Sequence, residues 1–597
     1  MFQFIHCPTI QRTNNYTLNY HLIINCFFTF IFMGYDSVLL NTKIPQQHTY
    51  DAIVIGTGIT GGYAAMELCK AGLRVLAVER GRNVVHGKYP TENKAPWQLL
   101  HRGMLTQKQV AEHPIQTRHF SYNEATAHFF GDDLKDAYHE KQRYDWIRPD
   151  VVGGRSLLWG RASYRWSDFD FEANLRDGYG TDWPFRYADL KPWYDKVERF
   201  VGISGNHDGI PHIPDGEFLP PFEFNCADAF LKTRIERSFP GRKVIMARVA
   251  NLTRNHEGRV KCQARNQCER GCTFGAYFSS NSSTLPVAAQ TGNLTLLADA
   301  HVFNILFDEE TQVAKGVEVI DRKSLKTYTF YSKIIFLNGG TIASTALLLQ
   351  SRSNRFPNGM GNDSDQLGRN LMDHHKGVWG SATIPGFEDK TDYGRRPCGI
   401  FIPPFRNVEK NDRPFLRSYI VPAYTGRGRK WSHAGIGENL KQTNTGLGPW
   451  TVNMGAYGEC LPYPDNRMTL STTQKDALGL PVVSFDCRFR ENEFAMHNDM
   501  AATIEEMLTK SGCENIAMTV EMSYPGNANH EMGTARMGRD PKTSVLNEWN
   551  QVHAVPNVFV TDGSCMPSCG SANPSLTYLA ITARAVDYAI KNNQIKT

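Results

Sequence analysis

The chain has 597 residues, 41% hydrophobic, 21% charged and 11% aromatic, a globular composition large enough for several compact units, and this excludes disorder over most of its length. Its 65 Lys plus Arg against 60 Asp plus Glu leave a formal charge of only +5, and no basic run is long enough to track a phosphate backbone, which argues against nucleic acid as a partner. No apolar stretch reaches the roughly 18 residues a membrane-spanning helix needs, so no transmembrane segment is expected.

At the start, Leu22 to Met33 is too short to span, is interrupted by Asn25, and follows a segment whose one basic residue is Arg12. A signal peptide wants more positive charge and a small-residue cleavage site. Residues 1–47 therefore read as an untypical extension ahead of a start near Met33, with export by this segment as the alternative, and the location stays open between cytoplasm and periplasm. Regular structure begins at Thr49-Tyr50-Asp51, where Ala52-Ile53-Val54-Ile55 forms the apolar run of a strand buried on both faces. A glycine-rich turn, a helix over Tyr63 to Lys70, a stop at Gly72 and a second apolar strand Val75–Val78 complete a strand-turn-helix-strand unit.

From about Arg82 to Asp150 the sequence is polar and irregular and reads as surface excursions, and a second glycine-rich passage follows at Val151–Gly160. Strand patterning returns at Leu294–Leu297, Val302–Phe307, Gly316–Ile320 and Ile334–Leu337, the last running into Asn338-Gly339-Gly340 and a helix over Ala343–Gln350. Between about Gly377 and Asp486, turn-rich segments such as Met468–Leu470 and Val482–Phe485 predict an antiparallel sheet. Glu491–Thr509 reads as an amphipathic helix, Val558–Asp562 as a buried strand, and Ser575–Ile590 as an apolar helix.

Gly56-Thr57-Gly58-Ile59-Thr60-Gly61 supplies a dinucleotide-binding turn: Gly56 for the tight turn, Gly58 for approach to a pyrophosphate, Gly61 for close helix-strand packing, with the first helical amides of Ile59 and Thr60 facing the anion. Glu79, ending the second strand with Arg80 beside it, is placed to hold the ribose hydroxyls and disfavours a 2′-phosphate. The motif serves both NAD and FAD.

Four further passages decide between them: Val152-Gly153-Gly154-Arg155-Ser156, Asn338 to Ser344, Leu367-Gly368-Arg369-Asn370-Leu371-Met372-Asp373-His374, and Val558 to Thr577 with Asp562-Gly563-Ser564 and Asn573-Pro574-Ser575. Over about Tyr50 to Ile590 the chain resembles the glucose-methanol-choline oxidoreductases, a family of FAD enzymes, and within it the bacterial sugar dehydrogenase branch and the pyranose oxidases. The resemblance implies an α/β fold in which a discontinuous Rossmann-like FAD-binding domain carries an α+β substrate domain with an antiparallel sheet. The expected division is 48–375 for the FAD-binding segments with excursions at about 82–150 and 165–290, 376–524 for the substrate domain, and 525–597 for a catalytic and FAD-binding tail. Implied cofactor contacts are Gly56, Gly58, Ile59, Thr60, Gly61, Glu79, Arg80, Gly153, Gly154, Ser156, Val302, Asp562, Gly563, Asn573 and Pro574. Gly153-Gly154 would lie where backbone approaches the flavin ring. Where pyranose oxidases attach flavin to a histidine this chain has Leu158, so its FAD should be noncovalent.

Oxidising an alcohol needs a base for the hydroxyl proton while hydride leaves carbon, and imidazole suits that role. By resemblance His530, in Asn529-His530-Glu531-Met532-Gly533, is the base and Asn573 its partner on the substrate oxygen. Arg536 reads as an ion-pair or turn residue, and the role of Glu531 is left open. His374 and His375 could suggest a metal, but adjacent side chains diverge on a regular element, and no metal site is expected. Cys262, Cys268 and Cys272 are spaced C-x5-C-x3-C, which fits a disulfide or free thiols and also an iron-sulfur or zinc site lacking its fourth ligand. Cys565 and Cys569 do not form a haem attachment motif, so electrons should go to oxygen or to another molecule.

The sequence thus points to FAD-dependent oxidation of a secondary alcohol of a sugar or glycoside to a ketone, with a small partner subunit and a cytochrome or quinone as acceptor. An oxygen-using sugar oxidase is the alternative. A noncatalytic flavin-binding subunit is the alternative of another class, and it would be expected to lack His530 or Asn573.

Overall fold

The computed structural model of the chain describes residues 48–592 apart from 392–393, 395–396 and 430–434, so the expectation about Leu22–Met33 lies outside the described residues. No helix among them is long and apolar enough to cross a membrane.

β1 (Thr49–Ile55) buries Ala52, Ile53 and Val54 completely, as a strand covered on both faces requires. It turns at Gly56 into α1 (Ile59–Lys70), four residues longer at its start than the sequence pattern indicated, because the helix begins directly on the glycine turn. The helix stops where Gly72 takes φ +84°, with Gly72 N–H donating to Cys69 O at 3.0 Å and Leu73 N–H to Leu68 O at 3.2 Å, a left-handed cap that satisfies two terminal carbonyls. β2 (Val75–Val78) and β3 (Leu294–Leu297) follow, then the antiparallel pair β4 (Ala300–Asp308) and β5 (Val313–Asp321), and then β6 (Thr327–Leu337), which leads into α2 (Thr341–Gln350).

In the main sheet the strand Val555–Val560, β6, β1, β2 and β3 lie side by side and parallel, with Ile53 between Ile335 and Leu76. The chain runs outward from β1 through β2 to β3 on one side and sets β6 on the other. Ligand crevices in such sheets form outside the carboxyl ends where the order reverses. Here four carboxyl ends meet: Gly56 after β1, Glu79 after β2, Asn338-Gly339-Gly340 after β6, and Asp562 after Val555–Val560.

A second, antiparallel sheet runs Glu514–Val520, Val378–Ile384, Leu447–Gly455, Tyr419–Arg429, Ile400–Ile402 and Ile245–Met246, with Tyr457–Gly458 added beside Tyr419–Ile420. Leu447–Gly455 alternates exposed and buried positions, so Trp450, Val452 and Met454 share the covered face. The helix Glu491–Lys510 covers that face with Met496, Met500, Ile504, Met507 and Leu508.

One expectation is corrected. Met468–Leu470 and Val482–Phe485 pair with each other but not with this sheet; with His139–Glu140 they make a separate three-stranded sheet. The cause is their apolar face: Met468, Val483 and Phe485 pack against Ile342, Ala346 and Leu371, and Tyr144 stacks on Phe485 at 4.1 Å.

The segment after Leu371 is laced to both halves. Met372 and Met532 exchange backbone hydrogen bonds at 3.0 and 2.9 Å, and His375 and Gly458 exchange another pair at 3.0 and 2.9 Å. Asp373 and His374 are therefore held between the turn carrying His530 and the edge of the antiparallel sheet.

Candidate active site

The glycines at the sheet edge separate packing from ligand space. A Cβ on Gly56, whose φ is +92°, would lie 2.4 Å from Asn338 O, and one on Gly61 would lie 2.0 Å from Gly56 O, so the fold itself forbids side chains there. At Gly58 a Cβ would meet nothing within 4 Å, and Gly340, which opens α2, is equally free. Open space above the first turn of α1, where helical amides lack intrahelical acceptors, is the shape and polarity a pyrophosphate requires. Gly154 borders it, its Cβ position 3.6 Å from Gly58 Cα.

Glu79 closes the adjoining side. Its Oε2 accepts from Thr57 N–H at 3.0 Å and the Thr57 hydroxyl at 2.7 Å, and its Oε1 from Gly81 N–H at 2.9 Å. Burial raises its pKa, and these hydrogen bonds work in the opposite direction. Asp562 is set on the far side by Gly340 N–H at 2.9 Å and Ser564 N–H at 3.0 Å, and burial also raises its pKa. Ile59 and Thr60 lie in the first turn, and Pro574 directly precedes the helix Ser575–Asn592. These residues fit FAD.

Other expected contacts have duties within the chain. At Gly153, where φ is +89°, a Cβ would lie 1.7 Å from Asn281 Oδ1, so the packing inside the chain also requires glycine there. Gly563 is similarly confined by Glu531 O at 2.3 Å and Thr341 Oγ1 at 2.5 Å. The Ser156 hydroxyl donates to Gly153 O at 2.6 Å and accepts from Ser280 N–H at 3.0 Å. Arg80 is ion-paired with Asp136 and, at 3.9 Å, with Asp150, and Val302 sits on β4 opposite Val319.

Next to this edge, folding brings His530 and Asn573 together, with Asn573 Nδ2 3.3 Å from His530 Nε2. The His530 turn depends on Asp373, whose Oδ1 accepts His530 N–H at 2.9 Å and Oδ2 accepts Ala528 N–H at 3.0 Å, and on Asn529 adopting φ +61°. Asn573 follows two anchored residues: Ser571 donates N–H and hydroxyl to Asp170 Oδ1, each at 2.8 Å, and Ala572 O accepts the Trp166 indole N–H at 3.0 Å. Tyr457 flanks the imidazole, ring centres 6.4 Å apart.

Burial, with His374, Lys376, Arg155 and His119 nearby, drives the His530 pKa well below 6.5. A neutral imidazole with a free lone pair can accept a hydroxyl proton. Lys376 is itself buried, which lowers it to about 8, and its ammonium lies 3.5 Å from His119 Nε2, which also meets Asn529 Nδ2 at 3.2 Å. Asp373 is pushed up to about 7 by burial and then by Glu531.

Several of these residues carry no role in the sequence reading. Asp373 and His374 stand inside the quoted Leu367–His374 passage, which was signal enough to flag them but not to show that His374 turns to His530 while His375 turns inward to Phe489 and His497. Arg155 lies within the Gly153–Ser156 passage; Lys376, His119 and Tyr457 gave no signal. Glu531, left open before, is held by Arg155. Arg536 is a turn residue without a carboxylate partner among the described residues: it donates to Thr543 O at 3.1 Å and Gln366 Oε1 at 2.8 Å. Cys262, Cys268 and Cys272 are thiols here, and among the described residues no group of three or more His, Cys, Asp or Glu is arranged to hold a metal.

A doubly wound sheet with an open phosphate cradle, and beside it a buried His-Asn pair, is the arrangement of a dinucleotide-dependent oxidoreductase. Two sequence profiles described as GMC oxidoreductase match residues 50–376 and 462–582, and the chain belongs to this family of FAD enzymes acting on CH–OH groups. It is 28% identical to paromamine 6′-oxidase of Streptomyces fradiae over 90% of this chain and 91% of that one. It is 25% identical to the fructose dehydrogenase large subunit of Gluconobacter japonicus, over 91% and 98%. The fold is shared with formate oxidase of Aspergillus oryzae at a TM-score of 0.59 and 14% identity, covering 92% and 99% of the two chains.

Proposed function

We propose that this FAD-dependent alcohol oxidoreductase converts a secondary hydroxyl of a sugar or glycoside to a ketone and passes the electrons to an external acceptor. The observation that carries the reading is the His530-Asn573 pair, 3.3 Å apart beside the carboxyl edge of the main sheet. Bound FAD supplies a hydride acceptor. Asn573 donates its amide hydrogen to the substrate oxygen and orients it; His530 takes the hydroxyl proton on Nε2 as the alkoxide forms. Lys376 and Arg155, which disfavour a charged His530, keep the imidazole neutral and ready to accept.

A dehydrogenase with a separate partner subunit accords with the similarity to a protein named as a large subunit. Half-buried Leu158 offers no atom for covalent attachment, so the FAD is held noncovalently. The test begins anaerobically with purified holoprotein and a panel of neutral sugars and glycosides, following loss of flavin absorbance. Reduction by at least one sugar is expected, and none by any would overturn the substrate class. Reoxidation of the reduced protein is then compared between air-saturated buffer and a quinone. Oxygen reoxidation as fast as turnover, with stoichiometric peroxide, would replace dehydrogenase by oxidase. Acid precipitation should release the FAD into solution, and yellow precipitate would contradict noncovalent binding.

A further inference from the structure

A neutral imidazole has one N–H and one lone pair, so the partner of one nitrogen decides what the other presents. His374 is buried, and its Nε2 lies 3.0 Å from the carbonyl oxygen of Gly570, which can only accept. Nε2 therefore carries the hydrogen. Burial also lowers the His374 pKa to about 4, so at neutral pH its Nδ1 keeps a lone pair. Two groups face that lone pair: His530 Nδ1 at 3.1 Å and the Cys569 thiol at 3.7 Å. Because His374 Nδ1 accepts, His530 Nδ1 donates. His530 is then left with its lone pair on Nε2, the atom beside Asn573.

We infer that His374 is a positioning residue that, anchored on the Gly570 carbonyl, fixes the tautomer of His530 so that its basic lone pair faces the substrate hydroxyl. The inference rests on His530 being the base. In the other tautomer an Nε2 N–H would point at the hydroxyl and could not take its proton. The anchor is itself immobilised: Gly570 has φ +67°, a Cβ there would lie 2.4 Å from Trp166 Cζ2, and its N–H donates to Glu459 Oε1 at 3.2 Å. A neutral imidazole in this post, where a carboxylate would raise the basicity of its partner, orients His530 without bringing a negative charge that would hold it protonated.

His374→Leu removes the acceptor, and His374→Gln offers an amide oxygen in its place. We expect the leucine variant to lose about 10²-fold in anaerobic flavin reduction, with FAD content and KM near those of the native protein. The glutamine variant should recover most of that loss, which a space-filling role for His374 would not produce. His530→Ala separates the two readings. Fast flavin reduction in that variant would overturn the base assignment and this inference with it. Slow reduction there, together with native rates in His374→Leu, would overturn the tautomer inference alone. Should the leucine variant fail to retain FAD, ¹⁵N NMR of ¹⁵N-histidine-labelled native holoprotein decides, with His530 assigned by its loss in His530→Gln. A protonated Nδ1 with a bare Nε2 is expected, and a protonated Nε2 overturns the inference.

Discussion

Arg155 holds Glu531 with both terminal guanidinium nitrogens, Nη2 to Oε1 at 2.6 Å and Nη1 to Oε2, and so ties the turn after Gly153 to the residue following His530. The same guanidinium donates to Ile147 O at 2.7 Å and Asn529 O at 3.3 Å, so three stretches of chain around the site share one side chain. Glu531 is buried and both of its oxygens are taken, which leaves it poorly placed to accept a substrate proton. Glu531→Gln should cost about 1–3 kcal/mol, the range for leaving a buried donor without its acceptor, and thermal melting of the holoprotein measures it. Flavin reduction should change by less than about tenfold, below the scale of losing a general base; a larger loss would make Glu531 a candidate base.

If His530 is the base, His530→Ala should slow flavin reduction by about 10² to 10⁴-fold while FAD stays bound, since the residue stands apart from the phosphate cradle. Asn573→Ala should be milder, because it removes an orienting donor and leaves the base in place. Stopped-flow reduction with saturating substrate reads both. A native rate in His530→Ala would send the search for the base elsewhere in the pocket.

The pH dependence follows from the surroundings of His530. Its pKa is driven well below 6.5, first by burial and then by His374, Lys376, Arg155 and His119. The base is protonated, and so inactive, only below that lowered value. Flavin reduction should therefore stay level as the pH falls through 6.5, with its acid limb lower still. Lys376→Met removes one of the cations that disfavour a charged imidazole, so the acid limb should move to higher pH. A limb that stays in place would show that Lys376 does not act on His530.

Much of the nucleotide half was legible because its signals are local: an unbroken apolar run for β1, a glycine turn, and an acidic residue closing β2. The His530-Asn573 pair was legible only through motif resemblance, since no periodicity links the two. His374 was hidden for a physical reason. Its role depends on a carbonyl at Gly570 and a backbone ladder between residues 372 and 532, contacts that exist only after the two segments meet. The antiparallel pairing at 467–486 was legible, but its separation from the larger sheet was not, because alternation reports that one face is buried, not what covers it. That Asn281 packs against Gly153 was not legible, because the two residues meet only in the folded chain.

Gly58 and Gly61 stand three residues apart in one motif and should fail in different ways. A Cβ at Gly61 would lie 2.0 Å from Gly56 O, a backbone atom at the carboxyl end of β1, so Gly61→Ala must displace helix from strand. That variant should be strongly destabilised, with a loss at or above the roughly 1–3 kcal/mol of an overpacked core, seen as a lower melting temperature even without cofactor. A Cβ at Gly58 meets nothing within 4 Å, and its φ of −61° suits any residue, so the polypeptide has no objection to alanine there. The added methyl instead projects into the space left for the pyrophosphate. Gly58→Ala should therefore melt as the native apoprotein does while binding FAD far more weakly, read by flavin content after purification and by titration of apoprotein with FAD. If Gly58→Ala is purified with native FAD content, the open space beside α1 is not the phosphate cradle.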